Sequence, residues 1–390
     1  MKRREMLAGL AGAWPALARP QQAEAASAPP PDRSRARSWR VRPGDRLAEA
    51  LAAARDGDTL EIEGEHRGQV GTIAQRRLTL RGVGASRPVL HADGRHAEGK
   101  AILVVRDGEV TIDNLAFRGA RVPDGNGAGI RFERGHLRVV QCDFFDNEMG
   151  LLTANMPGAA LTLQACRFGL APRHGEVLHH LLYVGRIGKV VIRGCHFSGG
   201  WRGHLIKSRA AEHHILYNHA IDGPTGEASY ELDLPNGGVA FVVGNVFEQS
   251  ALTQNNAMLS FGAEGQAHAD SALYAAHNTF VNRAAAPAWF IRAWDERLPA
   301  AHELRLVNNL SAGAFEPTGA AGPAASGNVH VGLDALDARG QLRPGSIAES
   351  AVSAGHARGL ALTPDAEFLA PAGTRPLPRQ RRNWPGAHPA

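Results

Sequence analysis

Residues 203–238 concentrate ionisable side chains on two apolar-periodic segments laid end to end. IKSRAAEHHILYN holds Lys207, Ser208 and Arg209, with His204 just ahead of it. YELDLPNGGVAFVVGN holds Tyr230, Glu231, Asp233 and Asn236. A lysine becomes a general base when desolvation or a nearby cation disfavours its ammonium form, and Arg209 is a cation two residues away. The same Arg209 can instead clamp a carboxylate through two parallel hydrogen bonds. Glu231, Asp233 and Asn236 offer the hard oxygen ligands that calcium takes. Upstream, His180 and Tyr183 are candidate acids. A base, a carboxylate clamp and an acid are what β-elimination on a uronate ring requires. The carboxylate is neutralised, the C5 proton is removed and the leaving O4 is protonated.

These residues share a face only if the chain repeats, and a phrase does recur. Alternating apolar residues, then Cys or Asn, then an apolar residue about two positions on appear eight times. They are VTIDNLAF (Asn114), LRVVQCDFF (Cys142), LTLQACRF (Cys166), VVIRGCHF (Cys195), HILYNHAI (Asn218), FVVGNVF (Asn245), LYAAHNTF (Asn278) and LRLVNNL (Asn308). The interval is roughly 23 to 33 residues, with Gly/Asn turns and no second helical pattern, which predicts a parallel β-solenoid rather than a helical array. Counting back from the rungs sets Tyr183, Lys207 and Asp233 at near-equal offsets, with Ser260 one coil further on. His180 and Tyr183, Lys207 and Arg209, Glu231 and Asp233, and Ser260 and Glu264 are therefore expected on one outer face of four consecutive coils. Strand alternation in ELDLP turns Leu232 and Leu234 inward and Glu231 and Asp233 outward. His204, Tyr230, Asn236, Ser260 and Glu264 are the expected substrate contacts. The competing expectation is a polar solenoid exterior whose opposite charges simply pair between coils.

The rest of the chain fits a solenoid. Forty-five glycines among 390 residues suit many tight turns, and 6% aromatics suit a core of Val, Ile, Leu and Ala. Val41-Arg-Pro-Gly-Asp45 leads into RLAEALAAARDGDTLEI, which predicts a short helix N-capped by Asp45 that closes the open end of the core. The three cysteines take the place that Asn holds in later coils, so they read as buried thiols rather than a disulfide. Residues 1–25 (MKRREML, LAGLAGAWPALA, AEAASA) read as an export signal, with Arg3-Arg4 in a twin-arginine-like order. The expected destination is the periplasm or the exterior, and no segment is long and apolar enough for a membrane span. Residues 26–38 read as a linker, 39–315 as the β-helix and 316–390 as an extended C-terminal segment. The formal charge of +5 shrinks once the basic signal is removed, and no nucleic-acid partner is expected. His91, His96, His213, His214 and His219 lack metal-ligand spacing, and His179, His180 and His204 are only slightly better placed for zinc.

Through the V-x-P-G-D cap entry, the GDTLEI start and the repeated x-N/C-x-F phrase, residues 40–315 resemble the pectin-lyase-like superfamily. The resemblance implies an all-β, right-handed parallel β-helix with a short N-terminal capping helix. Within it, IKSRAAEHHILYN is similar to the I-x-x-K-S…N segment of the chondroitinase B/alginate lyase group. That similarity implies a base at Lys207, and it points to an acidic, uronic-acid-containing polysaccharide as substrate. The Asn/Glu/Glu calcium pattern of that group has no counterpart here. ELDLPNGG stands where the group carries its acid arginine, and Arg209 does not fill that place. Two other expectations stay open. One is an inverting hydrolase using Glu231 and Asp233, about 7 Å apart by strand rise. The other is a non-catalytic glycan-binding or surface-structural solenoid. The Asn-Thr-Asp, Asp-Asp and Gly-His-Gly signatures of β-helix polygalacturonases and the pectate-lyase Arg-x-Pro-x-x-Arg are absent.

Overall fold

The computed structural model describes residues 36–316, 325–337, 341–343, 345–346, 351–379 and 384–387. The export signal expected over 1–25, and the linker as far as residue 35, lie outside the described residues. Alternation decides the local structure. In Ala160–Gln164 and Lys189–Arg193, Leu161, Leu163, Val190 and Ile192 are buried while the residues between them are half-exposed. A single coil of such strands cannot bury its apolar face, so each coil needs the next. The outcome is a parallel β-helix with sheets of 12, 9 and 11 strands, successive coils stacking a strand onto each.

One corner is built alike in nine coils. The residue at the bend has a positive φ, from Asn114 (55°), Gln141 (50°) and Ala165 (54°) through Tyr217 (55°) and His277 (52°) to Gly327 (63°). The bend interrupts the strand ladder, so the following backbone N–H needs another acceptor. The next rung supplies it. Leu115 N donates to Cys142 Sγ and Cys166 N to Cys195 Sγ, both at 3.4 Å. Cys195 N then donates to Asn218 Oδ1 at 2.8 Å, and Asn218 N to Asn245 Oδ1 at 2.9 Å. Asn278, Asn309 and Asn328 continue the series. The asparagines do more than the thiols: Asn245 Nδ2 donates both to Ile215 O (2.8 Å) and to Asn278 Oδ1 (2.9 Å). All three cysteines are free and buried. Asn114 and Asn308, expected as rungs, are bends instead, and the rungs are their neighbours Leu115 and Asn309. Asparagine is among the few side chains that tolerate a left-handed bend, so it occurs in either place.

Inside, Phe117, Phe144, Phe168 and Phe197 stack at successive separations of 5.1, 4.6 and 4.8 Å. The helix Leu47–Ala53 closes the N-terminal end and buries Leu47 and Leu51. Asp45 does not cap it. The Val41–Asp45 turn claims that aspartate first, Arg42 N donating to Asp45 Oδ2 at 2.7 Å. Gln69 Oε1 takes the Leu47 N–H instead, at 3.2 Å. Solenoid strands continue past residue 315 as far as Val329–Val331. The later C-terminal segment lies along the 12-stranded sheet, where Ala354, Leu362 and Ala366 pack with Tyr217, Phe241 and Tyr274. Two hydrogen bonds of 2.7 Å fasten it there, Tyr217 OH to Asp365 Oδ1 and Arg305 Nη2 to Ala354 O. That is a different sheet from the one carrying Lys207. Among the described residues, no helix is long and apolar enough to cross a membrane.

Candidate functional site

The nine-stranded sheet sets the register. Backbone pairing runs Tyr183–Lys207–Asp233–Ser260–Arg292 across five consecutive coils. Adjacent members are therefore one strand spacing apart, about 4.8 Å. Lys207 is the centre of the row. Its Nζ lies 2.8 Å from Glu264 Oε1 and 3.5 Å from Asp233 Oδ2. Arg209 Nη1 reaches Glu264 Oε2 at 2.7 Å and Asn236 Oδ1 at 2.8 Å, and its Nε donates to the Tyr183 hydroxyl at 2.9 Å. Each oxygen of Glu264 is thus held by a different cation. Glu264 comes from the turn after the strand Ala257–Phe261, and Asn236 Nδ2 anchors that turn by donating to Gly265 O at 2.7 Å. The Lys207 side chain is only 11% exposed, whereas that of Glu264 is 44% exposed.

On the other flank the His204 ring lies 4.7 Å from His180 and 4.8 Å from Tyr230. His204 Nε2 sits 3.4 Å from Asp233 Oδ2. The backbone N–H of His204 donates to His180 Nδ1 at 2.9 Å, and the His180 ring stacks on Tyr183 at 5.4 Å. Burial, then the Lys207 charge, pushes His180 down to about 3. Burial and the His180 ring likewise hold His204 well below the usual histidine range. Both are neutral imidazoles at pH 7 and therefore weak acids, so of the expected His180/Tyr183 pair only Tyr183 remains a candidate acid.

The two carboxylates beside Lys207 are pushed apart. Burial raises Asp233 to about 6 although Lys207 acts in the other direction. Burial would also raise Glu264, but hydrogen bonds from Arg209 and Lys207 outweigh it and hold this group at about 2. Asp233 Oδ1 and Ser260 Oγ are both buried, and the serine hydroxyl acts on the Asp233 carboxyl in the direction opposite to burial. Ser260 is fully buried, so it cannot touch a substrate as expected and instead lies beneath the surface, next to Asp233 in the row.

Glu231 departs most from expectation. Its N–H bonds to Met258 O and its carbonyl accepts from Ile206 N, which puts it in a row with Leu205 and Met258. Those neighbours belong to the hydrophobic core, as do the residues just after them, Ile206 and Leu259. The chain turns at this position, so two successive residues face inward and simple alternation fails. Glu231 is completely buried and both carboxylate oxygens lack partners. Burial, then the Asp222 charge, raises its pKa well above the carboxylate range. It therefore cannot form an outward acid/base pair with Asp233, and hydrolysis by that pair is ruled out by its position. The expected calcium set fails for the same reason. Glu231 is inside, Asn236 Oδ1 accepts from Arg209, and Asp233 Oδ2 faces Lys207 and His204, so the three oxygens do not converge on one cation.

Sequence reading passed over the end of the row. The Arg292 guanidinium lies 4.1 Å from the centre of the Trp289 ring and 3.8 Å from that of Trp294. One more step of the coil count beyond Ser260, into AWFIRAW, would have reached it. In the opposite direction a groove of about 440 Å³ runs from Lys207 and Tyr183 past Asn155 and Leu178 toward Arg131. No family model, no curated protein and no solved structure matches the chain. Fold and site geometry thus stand by themselves: a parallel β-helix with one row of ionisable side chains clustered around Lys207.

Proposed function

We propose that the chain is an exported polysaccharide lyase that cleaves a uronic-acid-containing polysaccharide by β-elimination, akin to the pectin-lyase-like proteins it resembles. The observation that carries this reading is the pair of cations on one carboxylate, Lys207 and Arg209 each holding one oxygen of Glu264. A uronate ring presents the same group, and Glu264, half-exposed on a short turn, is what the substrate displaces. In that seat Arg209 neutralises the substrate carboxylate, which makes the C5 proton removable. Lys207 then gives up a proton to solvent, with the Arg209 cation and its own burial disfavouring the ammonium, and acts as a neutral amine. The amine removes the C5 proton and the electron pair expels O4. The Tyr183 oxygen accepts the Arg209 N–H, so the phenol hydrogen is free to protonate O4. The phenolate then takes a proton from solvent, leaving Lys207 charged as at the start.

A second reading has its own support. Trp289 and Trp294 flanking Arg292 form an aromatic and cationic shelf suited to sugar stacking, which also fits glycan binding without turnover. Incubation with a panel of uronic-acid polysaccharides separates the two. A lyase produces the ultraviolet absorbance of the conjugated C4–C5 double bond, and Lys207→Ala and Tyr183→Phe each lower its rate by about 100-fold or more. Near-unchanged turnover in Lys207→Ala sinks the assignment of the base. Binding with neither unsaturated product nor new reducing ends favours the glycan-binding reading.

A further inference from the structure

A second cluster on an adjoining coil is not used by that chemistry. Glu148 immediately precedes the strand Met149–Thr153, and His174 and His179 lie on the long connection between Arg167–Gly169 and Leu182–Val184. One potential ligand atom from each of the three lies within 4.8 Å of the other two. We infer that Glu148, His174 and His179 form a binding site for a divalent transition-metal ion of the zinc class.

The site is prepared around each ligand. Glu148 is buried, and its Oε2 accepts the N–H groups of Val122 (3.1 Å) and Gly127 (2.7 Å). That fixes the carboxylate and leaves Oε1 facing His174 Nε2 at 3.8 Å. The buried His179 has its Nδ1 2.9 Å from Pro172 O. A carbonyl only accepts, so Nδ1 carries the hydrogen and Nε2 presents a lone pair. A carbonyl held behind the ring in this way is what orients metal-binding histidines. Burial also keeps His179 below the usual histidine range, so the ring is neutral. The neighbouring cations are already engaged, Arg121 with Asp146 and Arg173 with Glu227. Two imidazole nitrogens and one carboxylate oxygen suit zinc and its neighbours, not calcium or magnesium. A tetrahedral zinc with bonds of about 2.1 Å needs ligand atoms about 3.4 Å apart. His174 is half-exposed on its loop and supplies the small closure required, with the fourth position open to solvent. A bound ion would tie this connection to the coil below. His179 adjoins His180, which receives the His204 N–H, so the ion would also steady one wall of the Lys207 site.

The test uses the full chain after exhaustive chelation, titrated with zinc against a chromophoric chelator. Expected is one zinc per chain, with His174→Ala weakening affinity by at least about 100-fold, since losing even a group that only supports a ligand costs about 10- to 100-fold. His136→Ala, an exposed histidine on another sheet, should bind as the parent does. Cobalt should give the intense visible absorption of a four-coordinate site, and zinc should raise the melting temperature of the parent but not of His174→Ala. No stoichiometric zinc, equal affinity in His174→Ala, or the same thermal shift with calcium would each overturn the proposal. None of these readouts depends on lyase activity.

Discussion

Replacing Asp233 by asparagine tests the electrostatics of the site while keeping its shape. Asp233 is almost wholly buried, and burial lifts its pKa from 3.8 to about 6 against the pull of Lys207. Between those two values the folded state binds more protons than the unfolded chain. The stabilising contribution of the protonated carboxyl is therefore complete below about pH 4 and is lost as pH rises through about 6. A gap of roughly two units at about 1.4 kcal/mol per unit makes that loss about 3 kcal/mol. The asparagine variant has no such titration. Urea unfolding of parent and variant, followed by circular dichroism at stepped pH, should show the parent losing about 3 kcal/mol relative to the variant between about pH 4 and pH 7. A flat difference would refute the raised carboxyl. A parent that gains stability with pH would mark an ordinary carboxylate ion-paired with Lys207.

Glu264→Gln has the opposite sign, because the folded pKa lies at about 2, below the ordinary 4.5. Its stabilisation is present above about 4.5 and lost as pH falls toward 2, and half-exposure keeps it to about 1 kcal/mol or less. The same variant should bind a uronate oligosaccharide about tenfold more tightly by calorimetry, since no internal carboxylate competes; unchanged affinity would deny Glu264 that seat. Glu231→Met, which copies Met258 in the next coil, should raise the urea midpoint by the equivalent of about 2 kcal/mol, and a lower midpoint would reveal a partner for the carboxyl. Asn245→Ala strands Asn218 N–H, Asn218 Nδ2 and Ile215 O, so a loss of about 2–4 kcal/mol is expected. A loss below about 0.5 kcal/mol would mean that the ladder contributes little.

The sequence declared the solenoid because every coil repeats one physical problem, the orphaned N–H after a left-handed bend, and solves it with the same few side chains. Counting from those rungs put Tyr183, Lys207, Asp233 and Ser260 in a single row, as the backbone pairing has them. What failed was local geometry. Period-two alternation holds within a strand but not at the turn into it, and Glu231 stands at that turn. Asn114 and Asn308 misled because one residue type suits both the bend and the rung. The pairing of Glu264 with Lys207 and Arg209 was hidden for a different reason: it joins residues more than fifty apart through a loop whose course no periodicity describes. His179 was noticed for zinc but grouped with His180 and His204, and its neighbours Glu148 and His174 were hidden in the same way, His174 lying on an irregular connection.

The change from thiol to amide along the rungs gives the rod a mechanical polarity. Cys142 and Cys195 each offer the coil before one sulfur acceptor at 3.4 Å, and Cys142 and Cys166 give it one long thiol donor, whereas Asn218 and Asn245 each give two donors at 2.8–2.9 Å besides accepting. Among the described residues the C-terminal segment latches the coils from Gly194 onward, Gly373 N donating to Gly194 O at 2.8 Å and further bonds reaching Tyr217, His277 and Arg305. A force applied along the axis should peel the chain from its N-terminal end and stall near Asn218. Lys207 belongs to the coil that ends at that rung, so its row straddles the seam between the half that yields and the half that holds.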